Sequence, residues 1–518
     1  MNTTINYNKK SKEELVQLLF EQDKKHQNEI TQHKKQILFL EEYIKVQQLR
    51  QFANKSEKLN PDQLQFFDEA KPIDNEEKML AVEEEIQVAS FTRKKSPGRK
   101  PLPADLPRVP RIYDLTEAEK FCACGCELTH ITDEKSEQLE YIPAKIFVIE
   151  HIKKKYACKQ CEETIKTAKM PTPPIPRSIA ASGLLSHILV SKFQDGLPLY
   201  RQEKILKRIG VDLPRATLCL WVLKCAALLK PLMKLLHDVI LNYDIAYADE
   251  TTCQVLKEPN KGVQSKKYMW LFAGGPPQQF AFYYQYDPSR SHDIPLNFFE
   301  DFVGYLHCDG FSAYDALAKK KPISLVGCLY HVRRKFMEVV KLAPNKEGVA
   351  SHVIKLIAKL SVIEEEIKSL SNPDKKRIRE EKAKPLLNEL HDYLLSNQPH
   401  ILPKSLLGQA VTYTLNQWPK LLTYLEDGRL ENSNNRSERA IKPFVMGRKA
   451  WLFADSVEGA KAAAIIYSLI ETCKHHHIEP YDWLRYVLQA IPACQTLEEF
   501  EALLPFNIDK QLLKHPLN

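Results

Sequence analysis

The first ten residues, Met1 to Lys10, hold no apolar core of the kind a secretory signal needs, and no uninterrupted apolar run is long enough to cross a bilayer. Those two absences argue against secretion and membrane insertion and lead to the expectation of a cytoplasmic protein. In that compartment the 12 cysteines read as metal ligands or small buried hydrophobes rather than disulfides. Neither proline nor glycine interrupts residues 12 to 51, a charged stretch that is free to run as a helix. The tract from Asp68 to Gln87 is acidic and poor in aromatics, and it reads as a partly helical or mobile connector.

What the chain does have is length and local charge. At 518 residues it exceeds one compact core, so about three to five structural units are expected. The net charge of +8 is mild, but Arg93, Lys94, Lys95, Arg99, Lys100, Arg108 and Arg111 crowd one proline-rich segment and point to a polyanion, nucleic acid first. Prolines keep this segment extended, and Gly98-Arg99-Lys100-Pro101 suits a narrow A·T minor groove, where cations meet enhanced negative potential. A solvated basic linker is the other reading. Upstream, Val16, Leu19, Ile30, Ile37, Leu40 and Ile44 fall on one heptad seam that also carries Asp23, His26, His33 and Gln47. The seam fits either a leaky self-associating coiled coil or a single helix packed on its own protein.

Cys122, Cys124 and Cys126 lie before two expected strands, Glu137 to Pro143 and Lys145 to Tyr156, and Cys158-Lys-Gln-Cys161 follows them. The C-x-x-C spacing lets two thiolates reach one tetrahedral zinc, and the first cluster supplies two more from its three. Four thiolates leave no open position, so this zinc would be structural. Tyr200 to Ile209 then reads as a helix, with Gly210 as its left-handed stop. Pro214 opens a second helix bearing Arg215, Thr217 and Trp221. The layout fits a helix-turn-helix with the second helix in a major groove, or an ordinary helical hairpin.

From Tyr243 the pattern turns to strands. Ala246 to Leu256, Tyr268 to Ala273 and Gln279 to Tyr286 are rich in aromatic and β-branched residues and separated by turn chemistry, which predicts a three-strand meander. A helix at Ile294 to Phe302, a strand ending at Asp309-Gly310, a helix from Ser312, a strand over Ile323 to Leu329 and a helix around Arg333 to Val340 follow. That order is the ribonuclease H-like layout, whose first and fourth strands are neighbours, which would bring Asp249 and Asp309 together. Residues 343 to 428 read as an inserted run of helices. Beyond it Asn434 to Lys442 reads as a helix, capped by Ser433 or Asn434, that carries Glu438. Two strand-borne aspartates and one helix-borne glutamate form a metal-site candidate. Glu250, next to Asp249, is expected on the opposite face of its strand and dispensable. Cys328 and His331 form a C-x-x-H pair that, with no second pair nearby, reads as a structural contact.

The chain resembles the transposases of the insertion sequence 66 family. The resemblance rests on Phe52-Ala-Asn-Lys-Ser-Glu-Lys-Leu59, Pro97-Gly-Arg-Lys-Pro-Leu-Pro103, Ser136-Glu-Gln-Leu139, Tyr141-Ile-Pro-Ala144, Leu197-Pro-Leu-Tyr-Arg-Gln202, Asp249-Glu-Thr251, Asp309-Gly310, Cys328-Leu-Tyr-His-Val-Arg-Arg-Lys-Phe336 and Glu438-Arg-Ala-Ile-Lys-Pro443. It departs from the family pattern at Ala53, where glycine is usual, at Cys122-Ala-Cys124-Gly-Cys126, where C-x-x-C is usual, and at Ser433, where aspartate is usual.

The resemblance implies a DDE transposase with Asp249, Asp309 and Glu438 as its acidic triad. Such a triad would hold two Mg²⁺ ions for cleavage of element ends and joining of the 3′-hydroxyl to target DNA. Arg201, Arg215, Thr217, Arg333, Arg334, Arg439, Lys442 and Arg448 join Arg99 and Lys100 as candidate DNA contacts. A homo-oligomer on DNA, accessory proteins of the same element and location on the nucleoid are the further expectations. A nuclease that cuts without joining, or a non-catalytic DNA-binding derivative, would share these features.

The expected organisation is a helix over 1–60, a basic linker over 61–112, a zinc module over 113–170 and a helix-turn-helix-like region over 171–240. A ribonuclease H-like core over 241–341 and 429–475 follows, interrupted by the helical insertion 342–428, with a helical C-terminal element over 476–518.

Overall fold

The computed structural model describes residues 171–262, 264–342 and 348–513, the shorter stretches 146–152, 155–157 and 165–167, and scattered helical positions between 12 and 44. Arg99, Lys100, Cys122, Cys124, Cys126, Cys158, Cys161 and the expected strand Glu137 to Pro143 lie outside the described residues.

Residues 59–170 form one unit by contacts and residues 1–58 with 171–518 another. In the first, strands β1 (Lys155–Ala157) and β2 (Ile165–Thr167) pair antiparallel, Lys155 opposite Thr167 and Ala157 opposite Ile165. They flank the Cys158–Cys161 stretch instead of preceding it. The strand expected from Lys145 to Tyr156 is thereby corrected to its last residues, since 146–152 has no regular structure. In the second unit, the described heptad positions Ile30, Ile37, Leu40 and Ile44 are helical and 45–56% exposed, so these four are not buried among the described residues.

Helices α1 (Ser182–Phe193), α2 (Leu199–Arg208) and α3 (Arg215–Leu241) follow. The turn between α2 and α3 uses Gly210 at φ +86, a conformation in which a Cβ is strained. The helix pair stands where the sequence places it, but α3 is not a free recognition helix. It runs for 27 residues and buries Leu218, Trp221, Val222, Cys225, Leu229, Leu232 and Leu236. Trp221 is therefore core. This helix also corrects the expectation of no bilayer-length apolar run, because it is long and apolar enough to qualify. Its apolarity serves packing against the central sheet and the helix α12 introduced below.

The central sheet contains β3 (Ile245–Cys253), β5 (Lys267–Gly274), β6 (Ala281–Asp287), β7 (Gly304–His307) and β8 (Ile323–Val326), in the order β6-β5-β3-β7-β8. The short β4 (Val255–Lys257) leaves the sheet. β3, β5 and β6 form the expected antiparallel meander, and β7 and β8 add in parallel on the far side of β3. Successive residues from Met269 to Gly274 are all buried, so both faces of the sheet are covered at its centre.

Helix α4 (Asp293–Phe298) precedes β7, α5 (Ser312–Lys320) links β7 to β8, and α6 (Leu329–Leu342) follows β8. Helices α7 (Val349–Ile367), α8 (Asn372–Ile378), α9 (Lys384–Asn397) and α10 (Leu406–Leu422) form the expected insertion. The chain then enters α11 (Asn435–Trp451), β9 (Ala454–Ser456), α12 (Val457–His475) and α13 (Pro480–Ala490). β9 pairs in parallel with β4, a three-residue match that propensity alone does not reveal.

At its outer edge β6 meets α12. The Phe282 and Tyr284 N–H groups donate to Thr472 Oγ1 (3.1 Å) and Ser468 Oγ (2.7 Å). Each hydroxyl in turn donates back to its own helix, to the carbonyls of Ser468 and Ala464, both at 2.7 Å. Strand donors that would face solvent at a sheet edge are thus satisfied by helix side chains.

Candidate active site

Parallel pairing of β3 with β7 sets Tyr247 opposite His307, and their rings stack at 4.5 Å. Asp249 and Asp309 each lie two residues beyond that pair, Asp249 in the middle of β3, which runs on to Cys253, and Asp309 in the loop just after β7. The Asp249 Oδ1 accepts the Glu250 N–H at 2.8 Å, and Asp309 Oδ1 accepts the Phe311 N–H at 2.9 Å. Gly310 is required by a close approach: a Cβ there would stand 2.7 Å from the Tyr413 ring of the insertion. The insertion therefore touches the site through one ring.

Glu438 lies in the first turn of α11. The helix begins as the sequence suggests, but neither Ser433 nor Asn434 caps it with a side chain. Asn434, which is 1% exposed, has another task. Its Nδ2 donates to the Ala248 carbonyl (3.0 Å), its N–H donates to Cys328 Sγ (3.2 Å), and its carbonyl accepts the Glu438 N–H (3.1 Å). One residue thus ties β3, the loop after β8 and the Glu438 helix together. The Tyr284 hydroxyl donates to the Ala440 carbonyl and anchors α11 to β6.

Burial holds the Asp249 carboxyl well above the usual carboxylate range, and the charges of Glu250, Asp309 and Glu438 push it further. A buried carboxylate crowded by three others is a site that a cation relieves, and an all-oxygen donor set suits a hard divalent ion such as Mg²⁺. On Glu438, Oε2 accepts from Arg334 Nη2 at 3.1 Å, and Oε1 stands 3.5 Å from His331 Nδ1. Cys328, His331 and Glu438 each bring one ligand atom within 4.8 Å of the other two, so the C-x-x-H pair does gain a third donor that sequence spacing did not show.

Glu250 is not a silent neighbour. Its side chain is 2% exposed, ion-paired with Arg290 (Nε at 2.9 Å) and bonded by the Tyr314 hydroxyl at 2.7 Å. Arg290 in turn covers the Phe311 ring at 3.7 Å. This bracket joins β3 to the start of α5 and so steadies the loop that carries Asp309. Burial, then the Asp309 charge, raises the Glu250 pKa, which Arg290 and Tyr314 oppose. Glu250 does lie on the other face of the strand from Asp249, as expected, but that face is covered too, so its carboxylate is buried and engaged. Glu250→Gln is expected to cost about 1–2 kcal/mol, below the usual price of splitting a buried pair because Arg290 is 39% exposed. Cleavage by any activity of this site should fall about tenfold through displacement of Asp309. Urea unfolding of the variant checks the first figure, and an unchanged midpoint would show that the bracket carries no strain-bearing load.

The other expected contacts divide between two surfaces. Arg201 is exposed on α2, where it lines with Lys204, Lys207 and Arg208 a surface cavity of about 590 Å³. Arg215 is exposed and Thr217 half-buried at the start of α3. Beside the acids, Arg439 is exposed, and Arg448 donates to Thr251 and Thr252 hydroxyls at 3.4 and 3.3 Å. Arg448 also lines, with Lys266 and Lys449, a cleft of about 410 Å³ at the end of β3. Arg333 and Lys442 are half-buried. β8 stops at Val326, so Arg333 and Arg334 sit in the second turn of α6 instead of following a strand end, and Arg334 is engaged by Glu438. Sequence reasoning missed Asn434 as a tie and Arg290 and Tyr314 altogether. Only the place of Asn434, one turn before Glu438, hinted at a role.

Four family models match the chain. "Transposase IS66 family" covers residues 177–462 and "IS66 C-terminal element" residues 468–506. "Zinc-finger binding domain of transposase IS66" covers residues 119–162, and "Transposase C of IS166 homeodomain" residues 39–111. Among curated proteins, the uncharacterized protein y4jD of Sinorhizobium fredii is 34% identical over 78% of this chain and 81% of its own length. The uncharacterized protein y4qI of the same organism is 31% identical over 90% of this chain and 88% of its own.

Proposed function

The chain belongs to the IS66 transposase family, and from that premise we propose that it is a DDE-type DNA transposase with Asp249, Asp309 and Glu438 as its catalytic acids. The observation that carries the reading is the parallel β3–β7 pairing, which sets the two aspartates side by side while α11 brings the Glu438 charge onto Asp249. The strand order supports a ribonuclease H-like core over 241–341 and 429–475, interrupted by the insertion 342–428.

In this reading the three carboxylates hold two Mg²⁺ ions, which when bound supply an activated attacking oxygen and stabilise the leaving oxygen in phosphoryl transfer. Asn434 fixes the spacing between the Asp249 strand and the Glu438 helix. Arg334 orients Glu438 through Oε2. Arg439 and Arg448 bind phosphates of the DNA entering the site, with Arg333 and Lys442 on the flanking helices. Arg201, Arg215 and Thr217 form a second DNA surface, and Arg99 and Lys100 a third. The exposed heptad seam supports self-association, and accessory proteins of the same element complete the assembly, which acts on DNA in the cytoplasm.

The test supplies full-length protein with labelled element-end DNA, target DNA, Mg²⁺ and any partner proteins. Free 3′-hydroxyl ends followed by joined products support transposition. Cutting without joining would assign a nuclease, and binding without cutting a non-catalytic derivative.

The zinc-finger match over residues 119–162 supports one structural zinc, held by four of Cys122, Cys124, Cys126, Cys158 and Cys161. Elemental analysis of purified protein is expected to give one tightly bound zinc per chain. Cys158→Ser with Cys161→Ser should lose it and raise protease sensitivity of that module, because binding energy at a structural zinc is largely folding energy. Unchanged zinc content would remove both residues from the ligand set.

A further inference from the structure

The loop after β8 and the first turn of α6 present Cys328 and His331 to the buried side of Glu438. Two atoms there, Glu438 Oε1 and His331 Nδ1, are buried and have no hydrogen-bond partner among the described residues, although they face each other at 3.5 Å. That separation is too long for a shared proton. Arg334 occupies the other carboxylate oxygen, and the Asn434 N–H holds Cys328 Sγ at 3.2 Å, so Glu438 and Cys328 are each held by a neighbour. Donor atoms around a tetrahedral zinc stand roughly 3.3–3.8 Å apart, given bonds of about 2.0–2.3 Å. The atoms here lie within 4.8 Å of one another, so side-chain movement of about 1 Å closes the site.

We infer that Cys328, His331 and Glu438 form a three-ligand site for a thiophilic divalent cation, zinc foremost, with a fourth position open to water. A thiolate and an imidazole exclude Mg²⁺, which takes oxygen ligands and keeps its own waters. Binding forms one bond each to sulfur, nitrogen and oxygen, and the thiol proton leaves to solvent. This site is separate from the cysteine module upstream. The second half of the inference rests on the active-site reading above: Glu438 cannot serve this cation and the Mg²⁺ pair at once, so zinc here withdraws the third acid and switches cleavage off.

Cobalt tests the site without any activity. Full-length protein with its structural zinc in place is titrated with Co²⁺ and followed by near-ultraviolet absorption. One further equivalent should bind with a thiolate-to-cobalt charge-transfer band. Cys328→Ser should abolish the band, His331→Gln should weaken binding at least about tenfold, and Cys158→Ser should leave this band in place. No further equivalent, or a band that persists in Cys328→Ser, overturns the inference. In the cleavage assay, low micromolar Zn²⁺ should inhibit the parent. Measured against its own zinc-free rate, Cys328→Ser should need at least about tenfold more zinc for inhibition. Equal zinc sensitivity, or none in the parent, overturns the competition. If the protein cuts no DNA under Mg²⁺, the cobalt titration still decides the site, and only the catalytic reading falls.

Discussion

Asp309→Asn is expected to lower Mg²⁺-dependent cleavage of element-end DNA by several orders of magnitude while DNA affinity stays near that of the parent. Asparagine keeps the oxygen that accepts the Phe311 N–H and so keeps the loop, but it removes the charge that a hard divalent ion needs. Asp249→Asn and Glu438→Gln should behave alike, and a double substitution should cost little more than the worse single one, because the acids act as one cage. Asp249→Asn carries a second expectation. Its carboxylate is buried and repelled by three others, so neutralising it should leave the protein at least as stable as the parent, and more stable without Mg²⁺. Thermal unfolding in chelator measures this alongside cleavage. Near-normal cutting by Asp309→Asn would end the two-metal assignment, and a loss confined to DNA affinity would favour a binding protein.

The next largest effect should come from a residue that touches no substrate. Pairing of β3 with β7 ends at Tyr247 and His307, so the Ala248 carbonyl lies just past the ladder, and Asn434 Nδ2 supplies its bond. Asn434→Ala strands that buried carbonyl and loosens α11 from β3. A cost of about 1–3 kcal/mol follows from the lost hydrogen bond. Cleavage should fall about 10²-fold, since a displacement of roughly 1 Å at a reacting centre has that effect. Asn434→Asp should be worse, because an aspartate cannot donate to Ala248 and adds a fourth neighbour of like charge to Asp249. Denaturant unfolding and single-turnover cleavage together test the point. A variant that is destabilised yet cuts at the parental rate would reduce Asn434 to a packing residue.

The strands of the sheet were legible because aromatic and β-branched runs alternate with proline and glycine turns, and their order brought Asp249 and Asp309 onto neighbours before any coordinates. Glu438 was picked out only in the company of Asp249 and Asp309; periodicity alone would have left it a solvated helix residue. The start of α3 left a recognition helix and an ordinary hairpin equally open, and only its full length of 27 residues reveals a core helix. Strand alternation put Glu250 on the face opposite Asp249 but could not show that Tyr314 of α5 and Arg290 cover that side. The Cys328–His331–Glu438 grouping and the approach of Tyr413 to Gly310 depend on side chains from distant parts of the chain converging on the sheet end. Local pattern carries no information about such convergence.

The hydroxyls of Ser468 and Thr472 on the outer edge of β6 bear on how copies of this chain can meet. A multimer crowded onto one stretch of DNA raises the local concentration of every exposed strand, and an open edge there would recruit its twin and grow into fibrils. With Phe282 and Tyr284 already donating to α12, β6 offers no such template, and the cost of stripping it is the loss of two bonds that also seat the helix. Any contact between copies would therefore have to form through side-chain surfaces in place of this edge.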